Sequence, residues 1–430
     1  MVPGAVTDTA RRALRGAGLY EPARRMKSRA VESTRSVQEV LRRPDYEGAR
    51  ITPRRLLNAY MVRYQHARAD VRLRGYPLML TIEATNACNL RCPYCFTGAG
   101  EDGRPKSMLQ MPLYRRVLDE LGAYVWQVEF YNWGEPLLNK NIAEMIGLAR
   151  DRGVSTTISS NLSIPFDAER AEELVASGLS VLGVSLDGAT QEGYEQYRVR
   201  GKLDLILDNV RLLNDAKRRL ASQTPRLVWE FHVFDHNKHE IAQAHSMARE
   251  LGMTFALNKG WVAGPEWDPD GTYQFGVKPR LTPCDFLWQR AIVHNDGGVA
   301  PCCGTFYRED DFGALRNEPS VRLSDLESTT FRRVWNNESF QSARRMFRDR
   351  HATPDEAKRL VCFDCPTTLM WEAYQRHRAS GRPASEFEPG FTANDGFNYF
   401  FNRKPQRPPR PPKGDVIPID AIGAPADGAH

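Results

Sequence analysis

The sequence has no cysteine outside two groups, and it has little else that would suggest a secreted or membrane protein. Its eight cysteines are Cys88, Cys92, Cys95, Cys284, Cys302, Cys303, Cys362 and Cys365. A chain that used cysteine as a small core residue would scatter them. A secreted disulfide scaffold would be shorter and rich in loops. The 430 residues contain no run of about 18 apolar residues, so no membrane span is expected. The opening MVPGAVTDTARRALRG lacks the apolar segment of a signal peptide, which implies a cytoplasmic location. Charge of one sign is also scarce. The 59 Lys and Arg against 53 Asp and Glu leave +6, much of it at the two ends, so no nucleic-acid partner is expected. Clustered thiols in a long chain of this kind point to metal binding.

The length allows two or three domains at roughly 100–200 residues each, and 41% apolar residues suffice for a core. Residues 1–75 are basic. SVQEVLRRP and RRLLNAYMVRYQHARADVRL carry apolar residues at helical spacing, which reads as a packing extension. From residue 76 to 265 strands and helices alternate. Strands are expected at 77–85, 126–132, 156–162, 181–188, 226–234 and 253–261. Helices are expected at 112–124, 141–153, 167–178, 203–220 and 238–252. Such alternation predicts a parallel sheet, here an α/β partial (β/α)6 TIM-like barrel. Residues 280–370, with five cysteines and short strands, read as a second, smaller domain. The Pro-rich tail 403–430 reads as disordered, with a polyproline partner-binding segment as the alternative.

Cys88-Asn-Leu-Arg-Cys92-Pro-Tyr-Cys95 follows the first strand directly, at the end where β/α barrels place their chemistry. Three thiolates within eight residues can hold three corners of a cubane. Because such clusters normally take four thiolates, one iron stays open. A zinc site would need a fourth ligand, and no second CxxC or His pair lies nearby. The CxxxCxxC spacing resembles the signature of the radical S-adenosylmethionine (SAM) superfamily. That resemblance places Tyr94 near the SAM adenine. It makes Gly134-Glu135-Pro136, after the second strand, similar to the element that receives the SAM amino group. It sets Ser159, Ser160 and Asn161 where the ribose binds. Ser185-Leu-Asp187-Gly188 resembles the family's SLDG element, and Arg198 the arginine that meets the SAM carboxylate. Gly188 would equally end a strand, and Asn161 would equally cap a helix. The resemblance covers roughly residues 77–262.

In the second group, Gly297 follows Cys284 after twelve intervening residues, and Cys302 follows Gly297 after four. Cys362-Phe-Asp-Cys365-Pro comes much later. Asp296-Gly297-Gly298 suits a hairpin turn. Residues 282–366 resemble the SPASM/twitch extension of radical SAM enzymes. The resemblance implies an auxiliary [4Fe–4S] cluster on Cys284, Cys302, Cys362 and Cys365, with a zinc ribbon on the same residues as the alternative. No cysteine follows Cys365, so a second auxiliary cluster lacks ligands. Cys303 is surplus. It could replace Cys302 as ligand, be an inert neighbour, or donate a hydrogen atom to a substrate radical.

The resemblance implies an enzyme that cleaves SAM reductively with a SAM-binding [4Fe–4S] cluster and removes hydrogen from a substrate. The expected outcome is oxidation or epimerisation of a small molecule of carbohydrate or natural-product type. Peptide modification is the alternative, and an iron–sulfur or zinc scaffold or electron-transfer protein is the non-enzymatic one. A ferredoxin or flavodoxin would supply electrons. His232, Asp235, His236, Asn258, Lys259 and Trp261, near the ends of strands five and six, are candidate pocket residues.

Overall fold

The computed structural model describes residues 48–259, 282–315 and 330–382, with 386, 387 and 399. The expectations for residues 1–47, the boundary between 265 and 280, Trp261, the Lys259 side chain and the tail lie outside the described residues.

The alternation predicted from sequence is present. Strands β1 (Met79–Ile82), β2 (Gln127–Phe130), β3 (Ser155–Ser160), β4 (Val181–Ser185), β5 (Arg226–Val233) and β6 (Thr254–Lys259) pair in parallel, each with the next. After α1 (Pro53–Ala67), the connecting helices are α2 (Met111–Leu121), α3 (Ile142–Asp151), α4 (Ala168–Ala176), α5 (Gln191–Tyr197), α6 (Leu203–Arg219) and α7 (Ile241–Glu250). The fold is α/β on a parallel sheet. It differs from the six-strand expectation at one edge. β7 (Arg290–Val293) pairs parallel to β1, and β8 (Gly298–Ala300) and β9 (Gly313–Ala314) follow antiparallel, giving the order β6-β5-β4-β3-β2-β1-β7-β8-β9. The cysteine-rich segment therefore continues the barrel sheet. Beyond it come α8 (Asp285–Trp288, before β7), α9 (Phe331–Trp335), α10 (Glu338–Met346), α11 (Asp355–Lys358) and α12 (Pro366–Ala379). The limit placed at 370 cuts α12, whose first turn starts on Pro366 beside Cys365.

A parallel sheet covered on both faces usually carries apolar runs. Here one face only is apolar. Leu80, Ile82, Val128, Phe130, Ile158, Leu182, Val184, Trp229 and Phe231 bury against the helices. Several of the alternate residues are polar and bond to one another across the strands. Thr81 donates to Glu129 (3.1 Å), Gln127 to Thr157 (2.8 Å) and Ser159 to Glu230 (2.9 Å). The polar face lines the barrel lumen.

Helix α1 closes the opposite end. Ala59 and Val62 pack on Leu78, Met79 and Trp126. Arg55, 1% exposed, donates to the carbonyls of Arg50, Gly122, Val125 and Arg152 at 2.6–2.9 Å. The described part of the basic extension is thus a packed cap. Arg55→Met would keep the apolar stem and leave those carbonyls without their donor. At roughly 1–3 kcal/mol for each buried unmet group, partly relieved by water, a loss of about 3–5 kcal/mol is expected as a lower urea midpoint.

Candidate cofactor and active site

Cys88, Cys92 and Cys95 sit in the loop after β1, and their apolar neighbours are Leu90, Tyr197, Phe234 and Tyr94. Gly98 lets the loop fold over itself, since a Cβ there would stand 2.4 Å from the Cys92 carbonyl oxygen. The Leu90 amide donates to Cys88 Sγ (3.4 Å), and Thr97 and Gly98 amides donate to Cys95. Burial pushes the Cys88 and Cys95 thiols up and Cys92 to about 11, the last opposed by Arg198. Iron must displace those protons to bind.

The residues predicted around this loop gather on it. Gly134 touches its first turn, where a Cβ would lie 2.0 Å from the Thr85 carbonyl oxygen, and the Glu135 amide donates to Ala87 O (2.8 Å). Pro136 starts a short 3-10 turn. The Glu135 carboxylate is 2% exposed and accepts from the Leu137 amide (3.0 Å), Ser160 Oγ (2.7 Å) and the Asn161 amide (2.8 Å). Three of its roughly four acceptor sites are thus used within the protein, so it braces the end of β3 against the thiol loop. Asn161 Nδ2 reaches Asn89 Oδ1 (3.0 Å) and Cys88 Sγ (3.7 Å). Ser159 turns to Glu230 on the inner face. Ser185 is buried at the end of β4, in register with Glu230. Tyr94 stacks on Tyr197 at 6.5 Å.

Asp187 is fully buried and binds Arg198 Nε (2.6 Å), the His232 amide (2.7 Å) and His232 Nδ1 (3.0 Å). Arg198 extends from there to Cys92 Sγ (3.9 Å). Helix α5, which the sequence reading missed, ends on Arg198 and aims it. Thr190 caps that helix, a signal available in Thr190-Gln-Glu-Gly193. Among the other candidates, Asp235 pairs with Lys238, His236 stacks on Phe234, and Asn258 is exposed. The thiol loop and the polar groups on four strand ends form one site, with His232 held in it and Asp235 turned to its neighbour.

In the second group Cys302 lies beside Cys284, Cys362 and Cys365, while burial pushes its thiol well up and Cys284 to about 12. Cys303 lies close to Cys302 as well, but has further neighbours of its own. It is accessible, yet stands beside Arg290, Glu129 and Tyr131 at the inner face, walled closely enough that burial raises its thiol to about 11. Tyr131 donates to Glu129 (2.8 Å), which also pairs with Arg290 (3.5 Å). None of Glu129, Tyr131, Arg290 and Glu230 was predicted, because an isolated polar residue in a short strand carries no motif. Among the described residues no group of three or more His, Cys, Asp or Glu converges as one ion would require. A cubane gives each thiolate its own iron and so spreads its ligands more widely. Seven thiols in a set of three and a set of four, with apolar neighbours at the first, fit two such clusters. A cavity of about 1080 Å³ between α3 and α4 lies outside the barrel and meets the first thiol loop only at Asn89.

These features define an iron–sulfur protein built on β/α repeats. The chain carries a radical SAM superfamily domain over residues 82–225 and an iron–sulfur cluster-binding (SPASM) domain over residues 284–366. The first domain binds a [4Fe–4S] cluster and SAM, and the second binds auxiliary iron–sulfur chemistry. Over 123 residues, 29% of its length, the chain is 32% identical to an Fe-coproporphyrin III synthase of Methanosarcina barkeri. Over 143 residues, 33% of its length, it is 32% identical to a mycofactocin maturase of Mycolicibacterium smegmatis. The matched segments span 30% and 35% of those relatives. The solved structure of Streptococcus suis SuiB bound to S-adenosylmethionine is 14% identical with a TM-score of 0.49, covering 82% of this chain and 86% of that one. Among the described residues no helix is long and apolar enough to cross a membrane.

Proposed function

We propose that this chain is a radical SAM oxidoreductase or epimerase acting on a small polar molecule, of carbohydrate or natural-product type, held in the barrel lumen. The observation that carries the reading is the inner face of the sheet, polar where a parallel sheet is normally apolar, from Thr81 and Glu129 round to Ser159 and Glu230. Hydroxyl and amine groups find partners there. A cluster and SAM held by this chain's residues would supply the radical chemistry that removes hydrogen from a substrate. The chain's own residues orient and enclose. Cys88, Cys92 and Cys95 hold the first cluster, and Gly134, Glu135, Pro136, Ser159, Asn161, Ser185, Asp187, Arg198 and Tyr94 shape the SAM pocket. Cys284, Cys302, Cys362 and Cys365 hold the auxiliary cluster, and a ferredoxin or flavodoxin delivers electrons. Peptide modification is the second reading, favoured by the maturase among the relatives.

Anaerobic reconstitution tests the reading. About eight irons per chain are expected, with 5′-deoxyadenosine formed from SAM under reductant. Zinc alone, or no 5′-deoxyadenosine, would overturn it. Cys303 is the residue that separates epimerisation from oxidation, because its accessible thiol stands beside Glu129, Tyr131 and Arg290. Cys303→Ser is expected to keep 5′-deoxyadenosine formation and lose hydrogen return, seen as lost solvent deuterium in the product. Full turnover with unchanged product stereochemistry would show that Cys303 donates nothing.

A further inference from the structure

The loop that carries the first three cysteines and the hairpin that carries Cys302 are locked together by two contacts the reaction itself does not explain. The first is polar. Arg104, in the loop between Cys95 and α2, has a side chain 1% exposed. It meets Asp296 (2.9 Å) before β8 and Asp311 (2.9 Å) after it. Gly298 makes room, since a Cβ there would stand 2.0 Å from Asp311 Oδ2 and 3.0 Å from Arg104 Nη1. The second is aromatic. Phe96 follows Cys95, Trp133 precedes Gly134, and Phe306 lies three residues beyond Cys303. Phe96 stacks on Phe306 (4.8 Å, 13°) and meets Trp133 edge-on (4.8 Å), while Trp133 Nε1 donates to Thr305 O (2.8 Å). Gly103 lies flat on the Phe306 ring, where a Cβ would come within 2.4 Å.

A lone contact of either kind would stabilise two loops. The combination does more. The aromatic contact starts one residue from Cys95 and four from Cys302, the polar one lies within nine residues of each, and a glycine, Gly103 or Gly298, permits the close approach in both. Charges buried with two partners have no low-cost alternative arrangement, and stacked rings fix orientation as well as distance.

We propose that this clasp sets the separation and relative orientation of the two iron–sulfur clusters, so that Arg104 and Phe306 are positioning residues for electron exchange between them. The proposal rests on the two-cluster reading. Failure of that reading would appear separately, as wild-type protein holding well under about eight irons. The experiment is magnetic. In the reconstituted, reduced holoprotein, low-temperature pulsed EPR reads the dipolar coupling between the two clusters. Wild type is expected to give one narrow distance distribution. Arg104→Gln and Phe306→Leu, with iron content retained, are each expected to widen it at least about twofold, and Arg345→Gln, which removes an exposed pair with Glu338, to leave it unchanged. An unchanged distribution in both clasp variants would overturn the proposal. Loss of the auxiliary iron from both would also overturn it, since the residues would then serve the folding of the ligand loop.

Discussion

Asp187→Asn is expected to destabilise the protein by about 3–5 kcal/mol, because it strips the counter-charge from an arginine held in the site. Burial alone would raise the Asp187 carboxyl. Arg198 first, and then His232 by charge and hydrogen bonds, override that and hold it down to about 2. The folded value is therefore depressed below the ordinary one near 3.9. Such a group contributes stability that is fully present above about pH 4 and is lost as the pH falls through about 2. Wild type should lose urea resistance steeply between those values. The asparagine variant should start lower at pH 7 and fall less across the same window. Equal losses in the two proteins would show that Asp187 does not carry the linkage. The variant also frees Arg198, whose Nη1 otherwise lies 3.9 Å from Cys92 Sγ.

Cys302→Ala is expected to halve the iron, from about eight to about four per chain, whereas Cys303→Ala keeps about eight. The reason is environment. The two cysteines lie in the bend and turn that follow β8, and their side chains have different neighbours. Cys302 stands beside Cys284, Cys362 and Cys365, and Cys303 beside Arg290, Glu129 and Tyr131. Iron and sulfide assays after anaerobic reconstitution decide it, and the reverse result would exchange the two roles.

Much of this was legible in the sequence for physical reasons. The period of each strand and helix, and the glycines that end them, are local, so the six β/α repeats read directly. The thiol spacings are local too, as is the turn at Gly297, whose φ of 86° suits glycine. Two things were not legible. Cys302 and Cys303 are equivalent on paper, and only the hairpin separates them. Arg104, Asp296 and Asp311 are ordinary surface residues in sequence, and they meet because β7 lies beside β1. Helix α5 escaped because it is short and begins Gln-Glu-Gly, with no apolar period.

The register Met79↔Arg290 through Ile82↔Val293 joins β7 to the strand whose far end launches the first thiol loop. β1 thus has two clients, the loop above it and the hairpin beside it. Exchange of the cysteine-rich unit for one from another protein would require more than matched ligands. The graft would have to reproduce four residues of strand register and carry Asp296, Asp311 and Phe306 at the right offsets from it. A linker drawn between two independent modules would miss the point of attachment, which is a shared strand edge and not a hinge.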